Sequence, residues 1–157
     1  MRSGIGFDVH PFTDNKDLIL GGIKIDQASR GLDGHSDADV ALHALMDALL
    51  GAAGAGDIGD YFPPGDDRYK NISSRELLRQ VREIVSEQGF NINNLDLVII
   101  TEKPRIKPYK AEMEEIIARI LNLSQQQVNI KATTTEGLGF TGREEGIAAQ
   151  AVVTLGE

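Results

Sequence analysis

The chain has 157 residues, a length that suits one domain spanning 1–157, and its 41% hydrophobic and 25% charged residues are an ordinary globular balance. A net charge of −8 argues against a nucleic-acid surface or a polybasic membrane patch, and no run approaches the ~20 apolar residues of a membrane helix. Cys is absent, which removes disulfides, thiol nucleophiles and thiolate zinc sites, so any transition-metal site must use carboxylates and the three His.

The opening Met1 to Gly6 lacks the apolar run and cleavage pattern of a secretory signal. A cytoplasmic location is expected by default, or a plastid one had a transit peptide been removed. Residues 2–12 read as a strand carrying Asp8 and His10 near its end. Leu18 to Ile25, broken by Gly21-Gly22, reads as a small hairpin, and 26–36 as a loop. Ser36 is the expected N-cap of an Ala/Leu-rich helix running to about Ala53, with Asp39 at the capping-box position. Residues 54–72 form a long glycine-, proline- and acid-containing loop. Ser73 and Glu76 make a second capping box, followed by Leu77, Leu78, Val81, Ile84 and Val85 at helical spacing up to Gly89. Leu95 to Thr101 is a strand, and Pro108 starts a helix with the stripe Met113, Ile116, Ile117, Ile120 and Leu121. Val128–Thr135 and Ile147–Leu155 are the final strands. This order fits one sheet with helices on one face. The last strand is nearly apolar on both faces, so its outer face calls for another subunit.

Asp8 and His10 project from the same face of a strand, a workable spacing for two ligands on one ion. His43 lies on a helical stripe with Asp39 and Asp47 at i−4 and i+4, which would orient its imidazole. The same stripe also fits the solvated face of an amphipathic helix. His35 precedes a helix start, where free N–H groups attract anions, although by spacing alone an exposed loop histidine beside an ordinary cap fits somewhat better. Lys131 to Arg143 runs three Thr into a glycine-rich loop ending in Arg, groups that suit phosphate oxygens. Glu136 there implies a bridging oxygen-liganded cation. A β-rich Thr run entering a glycine hairpin is the alternative. Thr101 to Pro108 is a basic loop stiffened by two prolines, readable as a ligand loop or a solvated connector.

Together these residues resemble a known family. Arg2-x-Gly4-x-Gly6-x-Asp8-x-His10, the string His35-Ser36-Asp37-x-Asp39 through Ala52, Gly56-Asp57-Ile58-Gly59, and Lys131 to Arg143 are similar, in order, to the 2-C-methyl-D-erythritol 2,4-cyclodiphosphate synthase family. The resemblance implies an α+β fold (an α/β sandwich) with a single mixed four-stranded β-sheet, helices on one face and a small β-hairpin. It implies a homotrimer packed through its sheets, with active sites between subunits. The implied reaction closes 4-diphosphocytidyl-2-C-methyl-D-erythritol 2-phosphate into 2-C-methyl-D-erythritol 2,4-cyclodiphosphate with release of CMP. The enzyme would be a phosphorus–oxygen lyase of non-mevalonate isoprenoid synthesis. A metal-dependent nucleotide diphosphate hydrolase is the competing reading, and a non-catalytic trimeric binding module a third.

By the same resemblance Asp8, His10 and His43 hold one Zn²⁺ per subunit, and Glu136 holds Mg²⁺ or Mn²⁺. His35 and Thr134 stabilise the transition state. Val9 and Ser36 stand in the substrate site beside Asp8, His10 and His35. Asp57, Ile58 and Gly59 contact the erythritol. Phe62, Pro63, Pro64, Gly65 and Asp66 form a mobile segment over it. Thr101, Glu102, Lys103, Pro104, Arg105, Ile106 and Lys107 form the cytidine pocket. Thr133, Thr135, Phe140 and Arg143 match further binding positions, and Arg143 with Glu145 match positions near the trimer axis. Two departures stand out: Pro64-Gly65 replaces an Asp-Thr in the lid, and Arg105 replaces a lysine.

Overall fold

Two glycines on the first strand decide how the molecule packs. The computed structural model describes residues 1–157, and β1 (Arg2–Thr13) presents Gly4 and Gly6 to α1 (Val40–Ala53). A Cβ at Gly4 would stand 2.1 Å from the Ala48 carbonyl oxygen, and one at Gly6 1.9 Å from that of Ala44. Backbone therefore lies on backbone, with Ala44, Ala48 and Ala52 facing the strand. No larger residue on either side allows this approach.

The hairpin β2 (Ile19–Leu20) and β3 (Ile23–Lys24) turns through Gly21 and Gly22, at φ +61° and +82°. A short β4 (Gly31–Leu32) follows. After α1 come a one-turn α2 (Ile58–Tyr61), α3 (Ser74–Glu87), β5 (Asn91–Ile100), α4 (Lys110–Leu121), β6 (Val128–Thr133), a one-turn α5 (Gly139–Gly142) and β7 (Gly146–Gly156). The main sheet has the order β4-β1-β7-β5-β6. β5 and β6 run parallel and the other neighbours antiparallel.

The α+β class, the mixed sheet and the hairpin stand as expected, but the sheet has five strands, not four. The extra strand, β4, pairs only Phe12 with Leu32 and Thr13 with Gly31, too short to carry a period-2 pattern. The α1 boundary also differs. Asp39, not Ser36, is the N-cap: its carboxylate accepts from Leu42 N at 3.0 Å. It also accepts from Gly21 N and Gly22 N at 2.9 and 2.7 Å, pinning the hairpin to the helix start. Full burial, then the neighbouring Asp37 charge, push the Asp39 carboxyl above the ordinary carboxylate range against these three donors. At the second box Ser73 caps Arg75 N, while Glu76 turns to Arg79 and Gln80 instead of closing it. Pro108 sits in a single 3-10 turn, Lys107–Tyr109, ahead of α4.

Ile147, Ala149, Ala151, Val153 and Leu155 of β7 are fully buried under the helices. Each large aliphatic side chain there contributes roughly 1.5–3 kcal/mol. The opposite face exposes Ile5 (64%), Phe7 (56%) and Val152 (44%), with Val9 beside them. Ile5 is directly paired with Val152 and Val9 with Ala148, so the apolar residues form one patch.

Candidate metal centre and adjoining clefts

The alternation that turns Gly4 and Gly6 toward α1 turns Asp8 and His10 the same way. His43, one residue before the Ala44 that meets Gly6, is thereby carried to the strand. Asp8 Oδ2 stands 2.9 Å from His10 Nε2 and 3.2 Å from His43 Nδ1, and the two ring nitrogens are 3.1 Å apart. Asp8 Oδ2 is buried and makes no hydrogen bond despite both neighbours.

The tautomers explain why. His10 Nδ1 lies 2.9 Å from the Asp33 carbonyl oxygen, which can only accept, so Nδ1 carries a proton and in the neutral ring Nε2 is bare. His43 Nε2 lies 3.0 Å from Ser36 Oγ and 3.1 Å from Ser74 Oγ. A proton on Nε2 leaves Nδ1 bare. With both rings neutral, two lone pairs and a carboxylate then converge, which is an arrangement for a cation. Donors 2.0–2.1 Å from one ion at tetrahedral angles stand about 3.3 Å apart, close to the spacing found. The cluster fits a metal ion.

Charges respond accordingly. Burial alone would raise the Asp8 carboxyl, but the facing His10 and His43 imidazoles outweigh it and hold it well below the usual carboxylate range. Burial lowers His10, yet the Asp8 carboxylate and the Asp33 carbonyl leave it raised above the ordinary imidazole value, so without an ion a proton on Nε2 competes for the place a cation would take.

The cluster opens into a cavity of about 320 Å³ whose wall includes His35, Ser36, Met46, Ile58, Gly59, Phe62 and Pro64. Asp57 caps α2, and Asp47 Oδ1 accepts from Ile58 N at 2.9 Å, fixing the 57–59 segment against α1. Across the mouth, His35 Nε2 donates to the Asp66 carbonyl at 2.9 Å. Asp66 itself binds Arg68 through both carboxylate oxygens. That guanidinium holds the half-buried Asp66 carboxyl below its usual range.

A second cleft, about 250 Å³, lies between Thr101–Lys107 and the end of β6, lined by Thr101, Glu102, Pro104, Arg105, Ile106, Lys107, Ala132, Thr133 and Thr134. Glu102 Oε1 accepts from Thr135 N at 3.0 Å and so ties the two loops together. Thr134 Oγ1 accepts from Glu136 N at 3.3 Å, and Glu136 holds a left-handed φ of +55°.

The YgbB family model matches residues 1–156. The chain belongs to the YgbB family. It is 55% identical over 155 residues to the 2-C-methyl-D-erythritol 2,4-cyclodiphosphate synthase of Agathobacter rectalis, covering 99% of this chain and 87% of that one. The bifunctional IspDF of Campylobacter jejuni superposes with a TM-score of 0.94 at 47% identity, over 98% of this chain and 42% of that longer chain. The CDP complex of Plasmodium falciparum IspF gives 0.85 at 32% identity, over 98% and 94% of the two chains.

Within this YgbB-family chain, Asp8, His10 and His43 meet at one point as expected. His35, Ser36, Ile58, Gly59, Phe62 and Pro64 share their cavity. Val9 does not: it faces the opposite side of the sheet, as alternation requires. Glu136, Phe140 and Arg143 lie in the exposed 136–143 turn, and Arg143 pairs with Glu145 at 3.2 Å. The expectation that Asp39 and Asp47 orient the His43 ring is overturned. Both turn to backbone N–H groups, and the ring is held by Ser36 and Ser74. Ser74, with Asp37 behind it, was missed because its only signal was a serine doublet at a helix start. No helix is long and apolar enough to cross a membrane.

Proposed function

We propose that this chain, acting as one domain over 1–157, converts 4-diphosphocytidyl-2-C-methyl-D-erythritol 2-phosphate into 2-C-methyl-D-erythritol 2,4-cyclodiphosphate and CMP. It does so in the cytoplasm, within non-mevalonate isoprenoid synthesis. The observation that carries the proposal is the convergence of the Asp8, His10 and His43 ligand atoms beside the 320 Å³ cavity, in a chain that matches cyclodiphosphate synthases over nearly its whole length.

Asp8, His10 and His43 would hold one Zn²⁺ per subunit, since imidazole donors suit zinc better than magnesium. Glu136 would serve Mg²⁺ or Mn²⁺ through oxygen. When bound, these cations neutralise the diphosphate and stabilise charge that develops in phosphoryl transfer. The substrate's 2-phosphate oxygen attacks the β-phosphorus, and the bond to the α-phosphate breaks with its electron pair leaving on CMP. Because nucleophile and leaving group are tethered in one molecule, positioning supplies much of the acceleration. His35 and Thr134 donate hydrogen bonds to the reacting phosphate oxygens. Asp57 through Gly59 orient the erythritol, Phe62 through Asp66 cover it and exclude water, and Thr101 through Lys107 hold the cytidine with Thr133 and Thr135. The CDP bound by the Plasmodium falciparum relative supports a cytidine ligand for that cleft.

Three copies of the chain assemble through their sheet faces, burying Ile5, Phe7, Val9 and Val152. Supporting this, the metal cavity and the nucleotide cleft share no lining residue. They open at β1 and β6, three strand spacings apart in the sheet, or about 14 Å. One diphosphate cannot bridge that span, so a site would combine one subunit's metal cavity with its neighbour's nucleotide cleft. Phosphorus NMR of the products tests the reaction. A cyclic diphosphate with equimolar CMP is expected, and inorganic phosphate or an open-chain product would overturn it in favour of hydrolysis.

A further inference from the structure

The His43 ring is held by a chain of groups whose proton directions follow from a carboxylate at its far end. Asp37 Oδ1 lies 2.5 Å from Ser74 Oγ, and Asp37 Oδ2 accepts from Ser74 N at 2.9 Å. A carboxylate only accepts, so the Ser74 hydroxyl proton points to Asp37. Ser74 Oγ then has only lone pairs for His43 Nε2 at 3.1 Å, and a ring proton on that nitrogen satisfies it; Ser36 Oγ, 3.0 Å away, can accept the same proton, whereas a bare Nε2 would leave Ser74 Oγ facing it lone pair to lone pair. Nδ1 is left bare toward Asp8 and His10. Ser74 is fully buried, so water cannot replace it as acceptor. The second neighbour, Ser36, faces the substrate cavity and leaves Ser74 as the acceptor shielded from ligand exchange. The serine belongs to α3 and the aspartate to the segment before α1. Asp37 N→Ile72 O and Asn71 N→His35 O bonds, both 3.1 Å, bind those segments together.

We propose that Ser74, directed by Asp37, is the positioning residue that sets the His43 tautomer and thereby the metal affinity of the centre. It touches neither metal nor substrate. This inference rests on the metal reading of Asp8, His10 and His43. Asp37→Asn is the sharper variant because it keeps the shape. With the amide oxygen kept on Ser74 N, its N–H₂ replaces Oδ1 and gives up only the long bond from Asp39 N at 3.3 Å; it donates to Ser74 Oγ, the hydroxyl turns to donate to His43 Nε2, and the ring proton is displaced onto Nδ1, inside the metal cluster. Ser74→Ala removes the acceptor altogether.

The test is a zinc titration of the intact metal-stripped protein against a chromophoric chelator, with long-range proton–nitrogen NMR of the stripped protein. Both variants are expected to lose affinity by about 10–100-fold, the usual effect of losing an outer hydrogen-bond partner. The His43 signals are expected to change from the Nε2–H to the Nδ1–H form in Asp37→Asn only. Ser74→Thr, which keeps the hydroxyl, should restore affinity relative to Ser74→Ala. Wild-type zinc affinity in both Asp37→Asn and Ser74→Ala, or an unchanged His43 tautomer in Asp37→Asn, would overturn the proposal. A wild-type protein that takes up no divalent ion would overturn the metal reading itself, and this inference with it.

Discussion

The metal-cluster side and the proposed nucleotide side of this molecule are built in different ways. Asp8, His10 and His43 come from two long elements pressed together at Gly4 and Gly6, and each imidazole is held from behind by an acceptor. Thr101–Lys107 and Thr133–Arg143 are loops beyond the ends of β5 and β6, mostly exposed, shaped by turns and by Glu102. The first region is finished by core packing within one chain. The second presents its groups outward beside an uncovered apolar sheet face, as half of a site would. Rigid scaffolds give precision to ligands, while exposed loops leave room for a partner and for nucleotide exchange.

Four experiments would break or sharpen that contrast. The largest effect is expected from His43→Ala, which removes a ligand. Bound zinc should vanish by elemental analysis, and turnover should fall on the order of 10³-fold with the loss of metal stabilisation. Light scattering should give the wild-type mass, and wild-type zinc content would contradict the assignment. Gly6→Val leaves all three ligands in place but drives a side chain into the Ala44 carbonyl. It should lower stability by about 1–3 kcal/mol in chemical denaturation and weaken zinc binding with it. Normal zinc affinity would mean that helix–strand contact does not set the cluster.

On the nucleotide side, Arg105→Ala should weaken CDP binding by roughly 10–100-fold, the loss of one charge-assisted contact, with zinc content unchanged. A joint loss of metal and nucleotide, read by calorimetry and elemental analysis, would erase the distinction between the two regions. The smallest effect concerns the Asp96–Lys131 pair at 2.5 Å between β5 and β6. Burial raises the Asp96 carboxyl, but Lys131 and Asn129 together outweigh it and leave it lowered. Its stabilisation is therefore present above the unfolded carboxylate value near 3.8 and lost as pH falls through the lower folded value. Asp96→Asn should flatten acid unfolding in that window, by less than about 1 kcal/mol for so exposed a pair.

Much of the architecture was legible because period and punctuation are local. The alternation of 2–12, the glycine break at Gly21-Gly22, the stripe through Val81 and the apolar run of 147–155 all became the expected elements. β4 escaped because two residues carry no period. Ser36 and Asp39 are both good caps, and only the hairpin amides of Gly21 and Gly22 decide between them. Asp39 and Asp47 share a helical stripe with His43, yet spacing says nothing of the backbone donors that claim them.

Composition and pattern by themselves determined the α+β class, the strand-borne Asp8–His10 pair and the lack of any thiol chemistry, since each follows from residue type and near-neighbour spacing. Tertiary structure alone decided that His43 arrives beside Asp8 and His10, that Ser74 stands behind it, and that the cavity beside the cluster and the 101–107 cleft stay apart. Those outcomes depend on contacts between residues distant in sequence. Their geometry is set by how closely two backbones approach, a quantity no single segment encodes.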